Sequence, residues 1–207
     1  MPRTGVAEQT AFVRAHVEEI ARSLLAEEAL PAPAATRALV VLIGLPASGK
    51  SHFGRLLARR IGGVVVSTDE LRRRIFIAPS YVRTESRTIF ALAHAVARRL
   101  LSAGHAVVFD ATNLRERDRR PLYRVAREAG ACVVAVRVVA PEVVARERLA
   151  LRAARGRPDD ASDADWGVYL MMRDRYEAPA LPVIQVESGG DLEAAIARVE
   201  VTVRECG

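Results

Sequence analysis

The run Gly44-Leu45-Pro46-Ala47-Ser48-Gly49-Lys50-Ser51 satisfies the pattern G-x-x-x-x-G-K-[ST] at every fixed position. The residue types explain the chemistry. The glycines let the backbone curl so that its N–H groups converge on phosphate oxygens. A helix opening at the loop adds its positive end. The Lys50 ammonium can reach the β- and γ-phosphates, and the Ser51 hydroxyl offers an oxygen ligand to Mg²⁺. The nucleotide-binding set is read as Gly44, Ala47, Ser48, Gly49, Lys50, Ser51 and His52. Among 31 lysines and arginines, Lys50 is the single lysine. A planar guanidinium does not readily replace a compact ammonium in this slot. A guanine-specificity motif of the N-K-x-D type needs a second lysine, which this chain lacks, and donor preference is otherwise left open.

Three further groups fit a transfer reaction. Asp69, in Ser67-Thr68-Asp69-Glu70-Leu71-Arg72, can take the proton from an attacking hydroxyl. Arg72 shares its helix face at i, i+3, and can orient Asp69 or hold an anionic substrate. The alternative is that Asp69 caps a helix. Asp110, in Phe109-Asp110-Ala111-Thr112-Asn113, can help hold Mg²⁺. A water-activating Glu often follows such an Asp in ATPases; Ala111 stands there, which favours an acceptor other than water. Arg148 and Arg152 lie one turn apart and can meet charge on a transferring phosphoryl group. A solvated arginine face is the plainer reading of that helix.

Positioning these groups requires strands alternating with helices. Strands are expected at Ala38–Ile43, Val64–Ser67, His105–Asp110, Cys132–Val139 and Pro182–Val186. Helices are expected at Lys50–Ile61, Glu85–Ala103, Arg115–Ala129, Pro141–Ala154, Trp166–Glu177 and Asp191–Val203. That alternation predicts a parallel sheet covered on both faces. A further helix over about Val6–Leu30 ends at Pro31-Ala32-Pro33. Residues 1–33 thus read as a helical appendage and linker, and residues 34–207 as the main domain.

With 207 residues, half of them hydrophobic, the chain can bury a sizeable core. The net charge of +6 favours anionic partners, although arginine is abundant throughout. No signal peptide or membrane span is expected. Cys132 and Cys206 match no metal spacing and suggest no disulfide framework, so a reducing cytoplasm is the expected setting.

The order GLPASGKS, STDELR, FDATN, RERLALRAARGR and SDAD resembles the P-loop kinase family that includes polynucleotide 5′-hydroxyl kinase. Zeta-toxin kinases, gluconate kinase and chloramphenicol phosphotransferase are more distant relatives. The similarity runs from about Ala38 to Glu187. It implies a three-layer α/β P-loop NTPase fold of adenylate-kinase type: five parallel strands, helices on both faces and a helical lid. It implies Asp69 as general base and Arg72 as an active-site arginine. Asp110 and Asn113 would lie beside metal or acceptor. Arg148 and Arg152 match paired lid arginines, with Arg152 toward the transferring phosphate. The stretch Arg155–Asp165 would belong to the lid or follow it, and Ser188–Gly190 would approach adenine.

The expected activity is ATP- and Mg²⁺-dependent transfer to a hydroxyl of a small metabolite, sugar or antibiotic, with oligomeric state left open. One alternative is a polynucleotide or nucleoside 5′-hydroxyl acceptor. There Arg72–Arg74, Arg83, Arg87 and the Arg115–Arg120 cluster would track phosphates, and Tyr81 would stack on a base. A second alternative is a nucleotide-binding regulatory module without transferase activity.

Overall fold

The computed structural model describes residues 5–155 and 164–206. Five strands form one parallel sheet: β1 (Ala38–Ile43), β2 (Val64–Ser67), β3 (Val107–Asp110), β4 (Cys132–Val139) and β5 (Val183–Glu187). Their order across the sheet is β2-β3-β1-β4-β5. Strand β1, Ala-Leu-Val-Val-Leu-Ile, is buried at every position because it lies in the middle with helices on both faces. Its alternate side chains divide the core. Leu39, Val41 and Ile43 point to one face, and Ala38, Val40 and Leu42 to the other.

The second face is covered by α3 (Lys50–Ile61) and α9 (Leu192–Glu205) through Phe53, Leu57, Ile196 and Val199. The first is covered by α5 (Arg83–Ser102) and α6 (Glu116–Glu128) through Leu92, Val96, Leu122 and Val125. Two further helices, α7 (Glu142–Arg155) and α8 (Trp166–Arg173), stand over the carboxyl edge of the sheet, where Ala145, Leu149 and Tyr169 pack on Ala47. Of the expected lid stretch Arg155–Asp165, residues 156–163 fall outside the described residues.

Several expectations are corrected by tertiary structure. The N-terminal helix is two helices, α1 (Val6–Ala15) and α2 (Val17–Ala26), broken at His16. The His16 ring stacks on Phe12 at 4.3 Å and its Nδ1 meets the Phe12 carbonyl oxygen at 2.9 Å. Both helices pack on α5, and Val13 and Ala21 join the core. The helix opening at Thr68 is realised as α4 (Thr68–Ile75). The cysteines are also paired: Cys132 and Cys206 form a disulfide, with Cα atoms 5.9 Å apart. Cys132 opens β4 and Cys206 ends α9, so the return of α9 along the sheet brings together residues 74 apart in sequence.

Candidate active site

All five strands run the same way, so their carboxyl ends gather the loops that carry polar side chains. The phosphate loop joins β1 to α3. Ala47 (φ 59°) and Gly49 (φ 92°) adopt left-handed backbone, which curls the chain and turns amides inward. Gly44 is required sterically: a Cβ there would lie 2.6 Å from the Val138 carbonyl oxygen and 2.7 Å from Ser48 Oγ. Lys50 is buried in the first turn of α3, and Ser51 follows it. Exposed His52 is the next residue of that turn.

Asp69 sits in the first turn of α4, just beyond the end of β2. Ser67 is the cap, its hydroxyl accepting from the Glu70 amide at 3.4 Å. Capping is therefore assigned to Ser67, and the half-buried Asp69 carboxylate lies two residues on, within the first turn. Ser67 is in register with Asp110 on β3, which brings the two motifs side by side.

Asp110 is buried, and its Oδ1 has no hydrogen-bond partner among the described residues. Phe109 points to the α5 face, so alternation turns Asp110 toward the α3 face, the side of Ser51. An orphaned carboxylate oxygen beside a hydroxyl is a hard-oxygen donor set, and it fits Mg²⁺.

Other expected residues are engaged differently. Asn113 adopts φ 46° and is buried; its Nδ2 donates to the Leu42 carbonyl at 2.8 Å. It anchors the chain after β3 and does not present its amide nitrogen to an acceptor. Arg72 is buried and ion-paired with Glu85 on α5, and its guanidinium lies 4.4 Å from the Tyr81 ring centroid. Glu85 also accepts from the Ser80 amide and hydroxyl, both at 2.7 Å. Burial works to raise the Glu85 carboxyl, but the Ser80 donors and Arg72 outweigh it and hold it below its usual value. Glu85 is a residue that sequence reasoning missed, because its partners lie across a turn with no repeat in it.

Arg148 on α7 reaches the phosphate loop, its Nη1 donating to the Ala47 carbonyl at 3.1 Å and to Ser188 Oγ at 2.9 Å. It thereby joins the phosphate loop to the loop after β5. Arg152, one turn further along, is half-buried. The nucleic-acid track is thinned. Arg119 is fully buried, its Nη1 donating to the carbonyls of Asn113 and Leu114 and its Nη2 to that of Glu177. Arg74 is paired with Glu27 and Glu28, and the Tyr81 ring is stacked by Arg72.

A second missed residue is Arg137, the one charge in the strand Cys-Val-Val-Ala-Val-Arg-Val-Val. The signal was there: a cation at an inward position of an apolar strand needs a reason. It borders a cavity of about 260 Å³ at the carboxyl ends of β1 and β4, shared with Gly44 and Ser48.

A five-stranded parallel sheet in this order, with a phosphate loop leaving its central strand, is a P-loop NTPase fold. The chain belongs to the AAA domain family, whose model matches residues 39–179. Over 131 residues it is 30% identical to uncharacterized proteins of Mycobacterium tuberculosis and Mycobacterium bovis. That match takes in 58% of this chain but only 26% of each relative. Among solved structures, Kti12 of Chaetomium thermophilum in complex with ADP-AlF3 is similar at a TM-score of 0.67 and 24% identity, covering 81% of this chain and 98% of that one. The Mycobacterium tuberculosis APS kinase CysC, in complex with AMPPNP and APS, is similar at 0.60 and 20%, covering 84% and 99%. A gluconokinase from Sinorhizobium meliloti is similar at 0.57 and 19%, covering 82% and 97%. At these identities the likeness is one of fold.

Proposed function

We propose that this protein is a kinase that moves the γ-phosphate of ATP to a hydroxyl of a small acceptor. The observation that carries the proposal is the convergence, at one edge of the sheet, of a lysine-bearing phosphate loop with two carboxylates on adjacent strand ends. Lys50 and the loop amides hold the β- and γ-phosphates. Ser51 and Asp110 would hold Mg²⁺, which offsets phosphate charge when bound. Asp69 accepts the proton of the attacking hydroxyl. Arg148 and Arg152 face charge at the donor, with Arg152 toward the transferring group. Arg72 positions the α4–α5 corner through Glu85.

A small acceptor is favoured over nucleic acid because Arg119, Arg74 and Tyr81 are occupied within the fold. Ala111 in place of a water-activating carboxylate supports transfer over hydrolysis. The deciding experiment is transfer of radiolabelled γ-phosphate from ATP to sugars, nucleosides, aminoglycosides and 5′-hydroxyl oligonucleotides. Label should pass to one small-molecule class, and Lys50→Ala should abolish it. Wild-type turnover in Lys50→Ala would overturn the proposal. Nucleotide binding without transfer to anything in the panel would favour a regulatory module instead.

A further inference from the structure

Arg137 lies in β4 opposite Ile43 of β1, one residue before the phosphate loop begins. Its neighbours on the same face, Val133 and Ala135, pack in the core. Arg137 itself is half-buried, so solvent offsets part of its charge and the remainder favours an anionic partner. Among the described residues Arg137 makes no side-chain hydrogen bond and no ion pair. Its one partner is the Tyr176 ring, whose centroid lies 4.0 Å from the guanidinium carbon. Stacking uses the face of the guanidinium and leaves its edge N–H donors to point elsewhere.

The cavity that Arg137 borders is also lined by Gly44 and Ser48 of the phosphate loop and by Tyr169 and Arg173 of α8. Ser48 is 3% exposed, and its buried hydroxyl has no partner among the described residues. Arg173 is already balanced by Glu142 and Asp174. The unbalanced charge at the cavity is therefore that of Arg137. A cavity of about 260 Å³ is just below the usual range for a whole small ligand, roughly 300–1,000 Å³, and suits one anionic group of it.

We propose that this cavity binds an anionic group of the acceptor, a carboxylate or a phosphate, with Arg137 as the principal cation and the Ser48 hydroxyl as a second donor. Calling the ligand the acceptor rests on the kinase reading; the anion site itself does not. Tyr176 holds the planar fork in one orientation, which suits two parallel N–H donors meeting two oxygens. The position also separates two ends of the ligand. Strand β4 lies three strand spacings from β2, roughly 14 Å, with β3 and β1 between. The reacting hydroxyl beside Asp69 and the anion beside Arg137 thus belong to opposite ends of an extended molecule.

The test is site-resolved nitrogen-15 NMR of arginine Nε–H groups in the full chain. The Arg137 signal is identified as the one missing from Arg137→Gln. Inorganic phosphate and acetate are titrated separately, with Mg²⁺–AMPPNP present to occupy the phosphate loop. The signal should move saturably with a midpoint of the order of millimolar. Movement with phosphate marks a phosphate-bearing ligand, and movement with acetate a carboxylate. No saturable movement with either anion overturns the proposal. The Arg137 signal reports this site whether or not AMPPNP binds, so failure of the donor site, read from AMPPNP affinity in wild type and Lys50→Ala, is seen separately.

Discussion

Arg72 and Glu85 are both buried, and they fix the corner that presents Asp69. Removing one charge from such a pair leaves the other stranded. Glu85→Gln should destabilise the fold by about 3–5 kcal/mol, measured by urea unfolding at neutral pH. Because the Glu85 carboxyl is held below its usual value of 4.5, its contribution is fully present above that pH and disappears as pH falls through the lowered value. His94 on α5 adds a second acid sensitivity. Its ring lies 5.7 Å from Phe109, and burial, with Arg98 nearby, lowers its pKa from 6.5 to about 4. The fold therefore disfavours the protonated ring. Stability should fall by about 3 kcal/mol as pH drops from 6.5 to 4, and His94→Leu should remove that part of the slope. Asp69→Ala should keep nucleotide affinity and lose transfer by at least about 100-fold in single-turnover assays; unchanged rates would remove Asp69 as base. Legibility at this scale followed local spacing. The placement of Lys50, Ser51, Asp69 and Asp110 beside the strand ends was readable because each belongs to a short pattern there. Glu85 and Arg137 were not read because their partners come from other elements.

The elements were legible where periodicity was strong. Strand β1 is apolar throughout and is followed by glycine, so its limits were plain from sequence. Helix α4 was harder, since its Thr-Asp-Glu-Leu-Arg-Arg-Arg-Ile sequence is polar and carries few apolar residues to set a period. It forms because Ser67 caps it and because Leu71 and Arg72 are buried against neighbouring helices. The break at His16 was hidden because the apolar spacing of α1 continues into α2. The disulfide between β4 and α9 runs against the sequence reading, which expects none, because a spacing of 74 residues does not reveal that α9 returns to the start of β4. Cys206→Ser should lower stability by roughly 2–4 kcal/mol under oxidising conditions, and by nothing further when reductant is added to the variant. Cys132 is at the amino end of β4, away from the phosphate loop, so nucleotide affinity should be unchanged. Calorimetric Tm and AMPPNP titration of both forms check this.

On the scale of the molecule, the N-terminal helices are tied to α4 and α5. Gln9 Nε2 donates to the Ile75 carbonyl at 2.8 Å, Arg74 pairs with Glu28, and Arg98 and Arg99 both meet Glu18. Ala21 is completely buried against this face. Removing residues 1–33 should expose α5, lower Tm and weaken acceptor handling more than nucleotide binding. Equal Tm and equal KM for the acceptor in the shortened chain would show that these helices are independent of the site. The layered α/β architecture was readable from the alternation of elements, because each amphipathic helix must cover one face of an apolar sheet. The docking of α1 and α2 was not readable, since their apolar stripe specifies burial without naming the surface that buries it.

The double hydrogen bond of Arg148 bears on how quickly this molecule can load and unload. While Nη1 holds both Ala47 and Ser188, a side chain lies across the approach to Gly49, where an added Cβ would already meet Ser188 at 2.9 Å. A nucleotide entering past Gly49 would have to displace that bridge, and its association rate should then scale with the fraction of open molecules. Once inside, the same guanidinium can close on the ligand and slow its departure. Arg148→Ala should then bind ATP faster and release it faster, with a smaller change in affinity than in either rate, as stopped-flow measurements would resolve.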